Sequence, residues 1–366
     1  MNPKVHVPTQ FRGAVSHASN SSHFEVKSAW KRVFCAPLAL AWAAILTLRH
    51  ALYDGGILRS QRGALPTLVM GNVEVGGTGK TPHVMDAARR LQQLLGEHAV
   101  GILSRGYGRT TTGFVWVSDA LDWNEVGDEP WMIQSRLPGI AVAVCENRPR
   151  GLARMARDCP SLKAVVLDDG MQHRALRPDI LIGLMGRPRP KGMSWFALMP
   201  AGPFRDLPSR LHRCDHLVDT SGHHPECQWS SRTESGAPQR WPNSRSGKED
   251  VLENPVLMVT GIARPHRVLT SAQQHSEVLG YAFYPDHHAF TRQDVANWLD
   301  WMNEAGIASL LTTEKDAVRL STHQDALAGI DVWVLPLHLV WHTEAPYQAF
   351  LETWAQTLPS QSKPLQ

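Results

Sequence analysis

What the 366-residue chain lacks narrows the field before any motif is read. No apolar run reaches the ~18–20 residues of a confident spanning helix, which excludes a polytopic membrane protein. Its five cysteines (Cys35, Cys145, Cys159, Cys214 and Cys227) are scattered and odd in number. A disulfide framework is therefore not expected, and a reducing, cytosolic setting is. No C-x-x-C pair occurs, so the hydrophilic stretch holding His212, Cys214, His216, His223, His224 and Cys227 reads as a polar loop before it reads as a zinc site. The 28 glycines follow no G-X-Y period and no internal repeat appears, which excludes a collagen-like fibre. Net charge is nearly absent too, at +3. What is present is 43% hydrophobic residues, enough for one large or two ordinary cores and too many for wholesale disorder.

The small net charge hides a positional split. Residues 1–62 carry Lys4, Arg12, Lys27, Lys31, Arg32, Arg49, Arg59 and Arg62 against Glu25 and Asp54, a net +6, leaving −3 for the rest. The basic excess flanks the most apolar stretch, VFCAPLALAWAAILTL at residues 33–48. Basic groups beside an apolar run point to an anionic membrane surface more than to nucleic acid. Sixteen helical residues span only ~24 Å, short of a ~30 Å hydrocarbon core. Residues 27–62 therefore read as an interfacial or shallowly inserted anchor, with a signal peptide and a buried N-terminal helix as alternatives. The Ser- and His-rich residues 1–26 read as a disordered leader.

From residue 63 the pattern becomes α/β. Short, continuous apolar runs at 67–72, 99–104, 141–144, 164–167 and 179–185 alternate with helical or loop segments, as in a parallel sheet covered on both faces. Residues 221–250, rich in Ser, Pro and Gly, read as a polar linker or insertion. A second α/β set follows, with strands at 256–260, 278–284, 308–313 and 332–337 and helices near 291–305 and 346–358. The expected organisation is a phosphate-loop NTPase-like domain (63–220), the linker (221–250) and a smaller α/β domain (251–366).

The most informative segment runs from Gly71 to Pro82, GNVEVGGTGKTP, at a strand-to-helix junction. Gly76, Gly77, Thr78 and Gly79 let successive backbone amides turn around phosphate oxygens at a helix N-terminus. Lys80 would reach the β- and γ-phosphates of ATP, and the Thr81 hydroxyl would ligate Mg²⁺. The strict G-x-x-x-x-G-K-[ST] form asks for Gly where Glu74 stands, and the extra glycine is Gly76 instead. An acidic residue closing a second apolar strand should partner this loop. Asp168 and Asp169 of AVVLDDG supply it, and Asp168, or Asp169 in its place, would hold Mg²⁺ directly or through water.

With GNVEVGGTGKTP in place, the chain resembles the tetraacyldisaccharide 4'-kinases. SRGYGR (104–109), GDEP (127–130), LDDGMQHRAL (167–176), MPAGPFRD (199–206), VTGIARP (259–265), PDHHAF (285–290) and TTEKDAV (312–318) carry the match in order. The resemblance spans roughly residues 27–355. It implies transfer of the ATP γ-phosphate to the 4'-hydroxyl of tetraacyldisaccharide 1-phosphate, giving lipid IVA, with Mg²⁺. It also implies a lipid substrate met at the cytoplasmic face of a bacterial inner membrane, with neither nucleic acid nor an obligate protein partner. Asp128 acting with His287 is the implied acid–base pair, His288 a weaker candidate. Lys80 and Asp169 complete the implied catalytic set.

Arg148, or Arg150 in its place, and Arg205 are candidates for gripping phosphate through guanidinium forks. Gln172, His173 and Asp206 are further substrate-side candidates, Asp206 standing where the family usually has the longer Glu. Glu314, Lys315 and Asp316 either help close the nucleotide site or cap a helix, while Trp298 and Trp301 read as packing residues. The rival function is a deviant-Walker ATPase that switches partners. Such loops usually carry Lys before the paired glycines, where this chain has Val75.

Overall fold

The computed structural model describes residues 21–188, 197–241, 252 and 255–359. The expected leader up to residue 20 and the 242–250 part of the expected linker lie outside them. The chain forms two compact units, one built from Glu25–Thr233 and the chain from Leu339 onward, the other from Glu234–His338.

Helix α1 (Ser21–Asp54) is longer than the apolar run alone suggested, and from Glu25 on it belongs to the larger unit. Its Phe34–Asp54 stretch, 21 residues of mean hydropathy 1.4, is long and apolar enough to cross a membrane by length and composition. Only one stripe of it is covered. Ala39, Ala43, Leu46 and His50 recur at helical spacing and are buried, while Phe34, Leu38, Leu40, Ile45 and Leu48 stay exposed. Ala43 and Leu46 pack with Val73, Met171, Met185, Leu198, Phe204 and Leu211.

Beyond α1 come β1 (Gln61–Arg62), β2 (Thr67–Gly71), α2 (Lys80–Leu95), β3 (Val100–Ser104) and β4 (Val115–Trp116). The chain continues through α3 (Trp123–Val126), α4 (Asp128–Arg136), β5 (Ala141–Val144), α5 (Arg148–Asp158) and β6 (Ala164–Asp168). Next are β7 (Leu176–Arg177), β8 (Ile180–Met185), β9 (His216–Asp219) and β10 (Trp229–Ser235). A nine-stranded sheet has the order β16-β10-β9-β8-β2-β6-β3-β5-β4, where β16 is Leu337–Trp341. From β10 to β5 its pairings are parallel, and β4 closes the far edge antiparallel. All five residues of β2, β3 and β6 are buried, which is why these strands read as unbroken apolar runs.

The smaller unit holds β11 (Gln239–Arg240), β12 (Val256–Thr260), α6 (Pro265–Ala272), β13 (Val278–Phe283) and α7 (Arg292–Ala305), then β14 (Ser309–Thr313), α8 (Glu314–Leu320) and β15 (Asp331–Leu335). Its sheet runs β11-β15-β14-β12-β13, parallel except for β11. Trp298 and Trp301 of α7 sit in its core with Leu257, Val259 and Phe290, as packing residues should.

Two parts of the expected organisation change. The 221–250 segment is not simply a linker, because Trp229–Ser235 is β10 and pairs with β9. Nor does everything after residue 251 stay in the smaller unit. From Leu339 the chain returns to the larger one, ending in α9 (Glu344–Thr357). Aromatic and ionic contacts hold that return: Trp341 stacks on the buried Tyr347 with centroids 4.0 Å apart, and Arg90 of α2 bonds Glu344 and Gln348.

Candidate active site

The phosphate loop lies between β2 and α2, and the acidic pair follows β6, the neighbouring strand. Their register pairs Met70 with Asp168, so the two loops leave the sheet side by side. Ligands of open parallel sheets bind at such carboxyl ends.

Asn72, which the sequence reading passed over, is the centre of this junction. It is fully buried; its amide donates to Thr78 Oγ1 (2.7 Å), and its Oδ1 accepts from Lys80 Nζ (3.2 Å) and Arg205 (2.7 Å). Its carbonyl accepts from Gln172 Nε2 at 2.8 Å. The only hint in the sequence is its place directly after the strand. Glu74, at the position where a strict loop has Gly, is buried and Oε1 accepts from the backbone amides of Gly186 and Arg187 at 2.8 and 3.0 Å. The departure from the strict form thus ties the loop to the end of β8. Gly79 enters α2 with φ 78°, a conformation natural to glycine.

Asp168 and Asp169 face different partners. Asp169 takes a bidentate bond from Arg205, with NH1 to Oδ2 at 2.7 Å, and lies 3.7 Å from Lys80 Nζ. Burial pushes its carboxyl up, but Arg205 and Lys80 outweigh that and hold it below the usual carboxylate range. Burial, with the charges of Glu129 and Asp169, pushes Asp168 up to about 7 against the pull of Lys80 and Arg148. Asp168 Oδ1 is buried without a hydrogen-bond partner. A buried, orphaned carboxylate oxygen beside two other carboxylates is where a cation fits. Mg²⁺ characteristically takes one or two carboxylates and completes its shell with phosphate and water, so Asp168 with Thr81 is a sufficient protein set. Among the described residues there is no cluster of three or more His, Cys, Asp or Glu suited to a metal held by protein alone. In the 212–227 stretch, His216 stacks on Trp229 and His224 Nε2 bonds the Arg187 carbonyl.

Of the expected phosphate grips, Arg148 is 2% exposed and turned to the backbone, donating to the carbonyls of Cys145 (2.5 Å) and Asp168 (3.1 Å). Burial lowers its pKa to about 10. Arg150 is exposed. Arg205 is committed to Asp169 and Asn72. His173 Nε2 accepts from the Arg148 amide at 3.4 Å; burial and the charges of Arg148, Arg49 and Arg105 bring its pKa down to about 4, so the ring is neutral. Asp206 is 1% exposed and receives His50 Nε2 at 2.8 Å. The shorter carboxylate reaches its partner, and that partner is on α1.

Helix α1 is fastened to these loops at several points. Trp42 Nε1 donates to the Arg205 carbonyl (3.3 Å), and Arg49 donates to the Gln172 carbonyl (2.8 Å). Arg174 donates to the His50 carbonyl (2.9 Å) and to Asp54 (2.6 Å).

Asp128 and His287, expected to act together, belong to different units, Asp128 to the larger and His287 to the smaller. Asp128 is buried at the first turn of α4, after Gly127 (φ 99°), and Oδ1 accepts from the Glu129 amide at 2.8 Å. His287 has φ 60°; its Nε2 lies 3.2 Å from Lys315 Nζ and 3.9 Å from Asp286. His288 bonds Asp294 at 3.1 Å and stacks on Tyr284. Asp316 is fully buried among Thr260, Thr313, the Gly261 amide and Arg319, a structural post for α8. Glu314 accepts from the Leu337 amide at 3.1 Å.

A sequence profile of the family described as Tetraacyldisaccharide-1-P 4'-kinase matches residues 31–356. The chain belongs to that family. Among its relatives, the tetraacyldisaccharide 4'-kinase of Anaeromyxobacter dehalogenans is 36% identical over 331 residues, covering 80% of this chain and 83% of the relative. That of Cytophaga hutchinsonii is 32% identical over 304 residues, covering 79% and 85%. The crystal structure of Aquifex aeolicus LpxK in complex with ATP superposes with a TM-score of 0.71 at 26% identity, covering 88% of this chain and 99% of that one. The α/β architecture with parallel sheets and an apolar N-terminal helix is thus that of a tetraacyldisaccharide 4'-kinase. The partner-switch reading draws support neither from these relatives nor from the loop, where Val75 holds the signature-lysine position.

Proposed function

We propose that this chain transfers the γ-phosphoryl group of ATP to the 4'-hydroxyl of tetraacyldisaccharide 1-phosphate, forming lipid IVA. The observation that carries the reading is the convergence of Lys80, Asp168 and Asp169 at the ends of two adjacent strands in a member of this kinase family.

Phosphoryl transfer asks the protein for positioning and charge neutralisation more than for covalent chemistry. Lys80, held by Asn72 beside Asp169, supplies a cation for the β- and γ-phosphates. Bound Mg²⁺ would neutralise charge on the phosphate oxygens, with Asp168 and Thr81 as its protein ligands. Asp128 and His287 are the proposed acid–base residues for the 4'-hydroxyl proton, either of which can be the group that takes it. Gln172 and His173 remain the substrate-side candidates. Arg148, Arg205 and Asp206 act by holding the loops that carry the others.

The exposed apolar side of α1 supports a peripheral or shallow seat on the cytoplasmic face of the inner membrane, where an acylated substrate resides. The bonds from α1 to the Gln172 and Arg205 carbonyls support a seat close to the proposed chemistry. The test is a transfer assay with purified protein, Mg²⁺, γ-labelled ATP and tetraacyldisaccharide 1-phosphate in mixed micelles. Labelled lipid on a thin-layer plate is the expected result; ATP turnover without labelled lipid overturns the proposal.

A further inference from the structure

The phosphate loop has a carbonyl that must be held, and the chain dedicates a buried histidine to it. Gly79 is the last residue before α2, which opens Lys80-Thr81-Pro82; Pro82 has no backbone N–H, so no tighter i→i+3 bond to the Gly79 carbonyl can form and its backbone donor must come from His83. The Gly79 carbonyl accepts the His83 backbone amide at a long 3.3 Å. It also meets the His83 ring, with Nδ1 at 2.7 Å. A carbonyl only accepts, so this contact requires the proton on Nδ1 and leaves Nε2 as an acceptor. Ser231 Oγ lies 2.8 Å from Nε2 and donates to it. One tautomer therefore satisfies both ends of a ring that is 0% exposed. Trp341 closes the pocket edge-on, with ring centroids 5.3 Å apart.

Ser231 is itself 3% exposed and stands on β10, the strand hidden in the polar 221–250 stretch. The same strand crowds the glycine directly, since a Cβ added to Gly79 would come within 3.1 Å of Thr233 Cγ2. The consequence lies on the other side of the peptide plane. In a trans peptide the C=O and the following N–H are antiparallel, so fixing the Gly79 carbonyl fixes the direction of the Lys80 amide. That amide opens α2 and is one of the donors a phosphate would use.

We infer that His83, set by Ser231, is a positioning residue that pre-orients the Gly79–Lys80 peptide for nucleotide phosphate, and that β10 is thereby a working part of the site. The ring touches no substrate; it acts through the loop. The inference rests on the phosphate-loop reading above, and direct nucleotide binding separates the two. If the unaltered protein fails to bind a fluorescent ATP analogue, the phosphate-loop reading falls. If it binds, the variants decide on His83.

His83→Leu keeps the volume and removes both hydrogen bonds; it should weaken ATP binding by about tenfold, with the lipid KM unchanged. Ser231→Ala should give about a threefold loss, and adding it to His83→Leu should do nothing further. His83→Asn keeps an N–H in reach of the Gly79 carbonyl and should recover affinity to within about threefold of the parent. Thermal melts of each variant separate orientation from folding. Unchanged ATP affinity in His83→Leu, a lowered Tm alone, additive losses in the double variant, or His83→Asn no better than His83→Leu would each overturn the inference.

Discussion

His50 Nε2 and Asp206 Oδ1 meet at 2.8 Å with both side chains buried, and that bond joins the apolar N-terminal helix to the residue following Arg205. Asp206 also accepts from the Leu207 amide at 2.8 Å, which makes it a cap for its own loop as well as a clasp for α1. Removing one member of a buried, hydrogen-bonded pair leaves the other unsatisfied and typically costs about 3 kcal/mol. Asp206→Ala should therefore lower Tm by several degrees and reduce lipid phosphorylation. Asp206→Glu should also destabilise, by about 1–3 kcal/mol, because the shorter side chain already spans the distance and an extra methylene must be packed.

The same pair gives a pH dependence whose sign is fixed. Burial raises the Asp206 carboxyl, but the bond and charge of His50, with the Leu207 amide and Arg210, bring it below its unfolded value. The folded state then binds fewer protons than the unfolded chain, so this contribution is present above about pH 4 and lost as pH falls through the folded pKa. Melting curves between neutral and acid pH should show a steeper acid loss in the parent than in Asp206→Asn. Parallel curves would remove Asp206 from the acid transition.

Asp168 should separate stability from function. Its Oδ1 has no partner and its neighbours Glu129 and Asp169 are negative, so the metal-free protein holds an unfavourable carboxylate there. Asp168→Asn, nearly isosteric and neutral, should raise the Tm of the metal-free protein while lowering kcat by about 10²–10³-fold. Added Mg²⁺ and ATP should stabilise the parent more than the variant. A variant that is less stable without metal would contradict this account of the site.

The legible parts of this molecule are those where local sequence and tertiary role coincide. β2, β3 and β6 are buried on both faces, so nothing interrupts their apolar runs, and the glycines and Lys80 between β2 and α2 are adjacent in the chain. β10 was not legible, since WSSRTES buries only alternate positions at its start and is otherwise polar, which is also the composition of a linker. The return of the chain at Leu339 depends on contacts such as Trp341 to Asp86, made across 255 positions. Asn72, His50 and Arg49 have meaning only through partners more than a hundred residues away or through a loop already folded. Asp206 is a residue whose motif context suggests a substrate-side role, while its partner on α1, 156 positions away, is invisible in the local sequence.

The apolar side of α1 should be separable from catalysis. Phe34 is 78% exposed, Leu38 63%, Ile45 55% and Leu48 62%, a surface too large and too continuous for a helix that faces water alone. The buried stripe of Ala39, Ala43, Leu46 and His50 lies elsewhere on the helix, so substitutions on the exposed side leave its fastening intact. Each large aliphatic or aromatic side chain moved out of water contributes about 1.5–3 kcal/mol to membrane affinity. The triple change Phe34→Ser, Leu38→Ser and Ile45→Ser should abolish co-sedimentation with vesicles containing anionic lipid and raise the KM for lipid presented in vesicles. ATP affinity should be unchanged. Retained sedimentation would place the membrane contact on another surface, and lost ATP affinity would mean that the exposed side of α1 also supports the nucleotide loops.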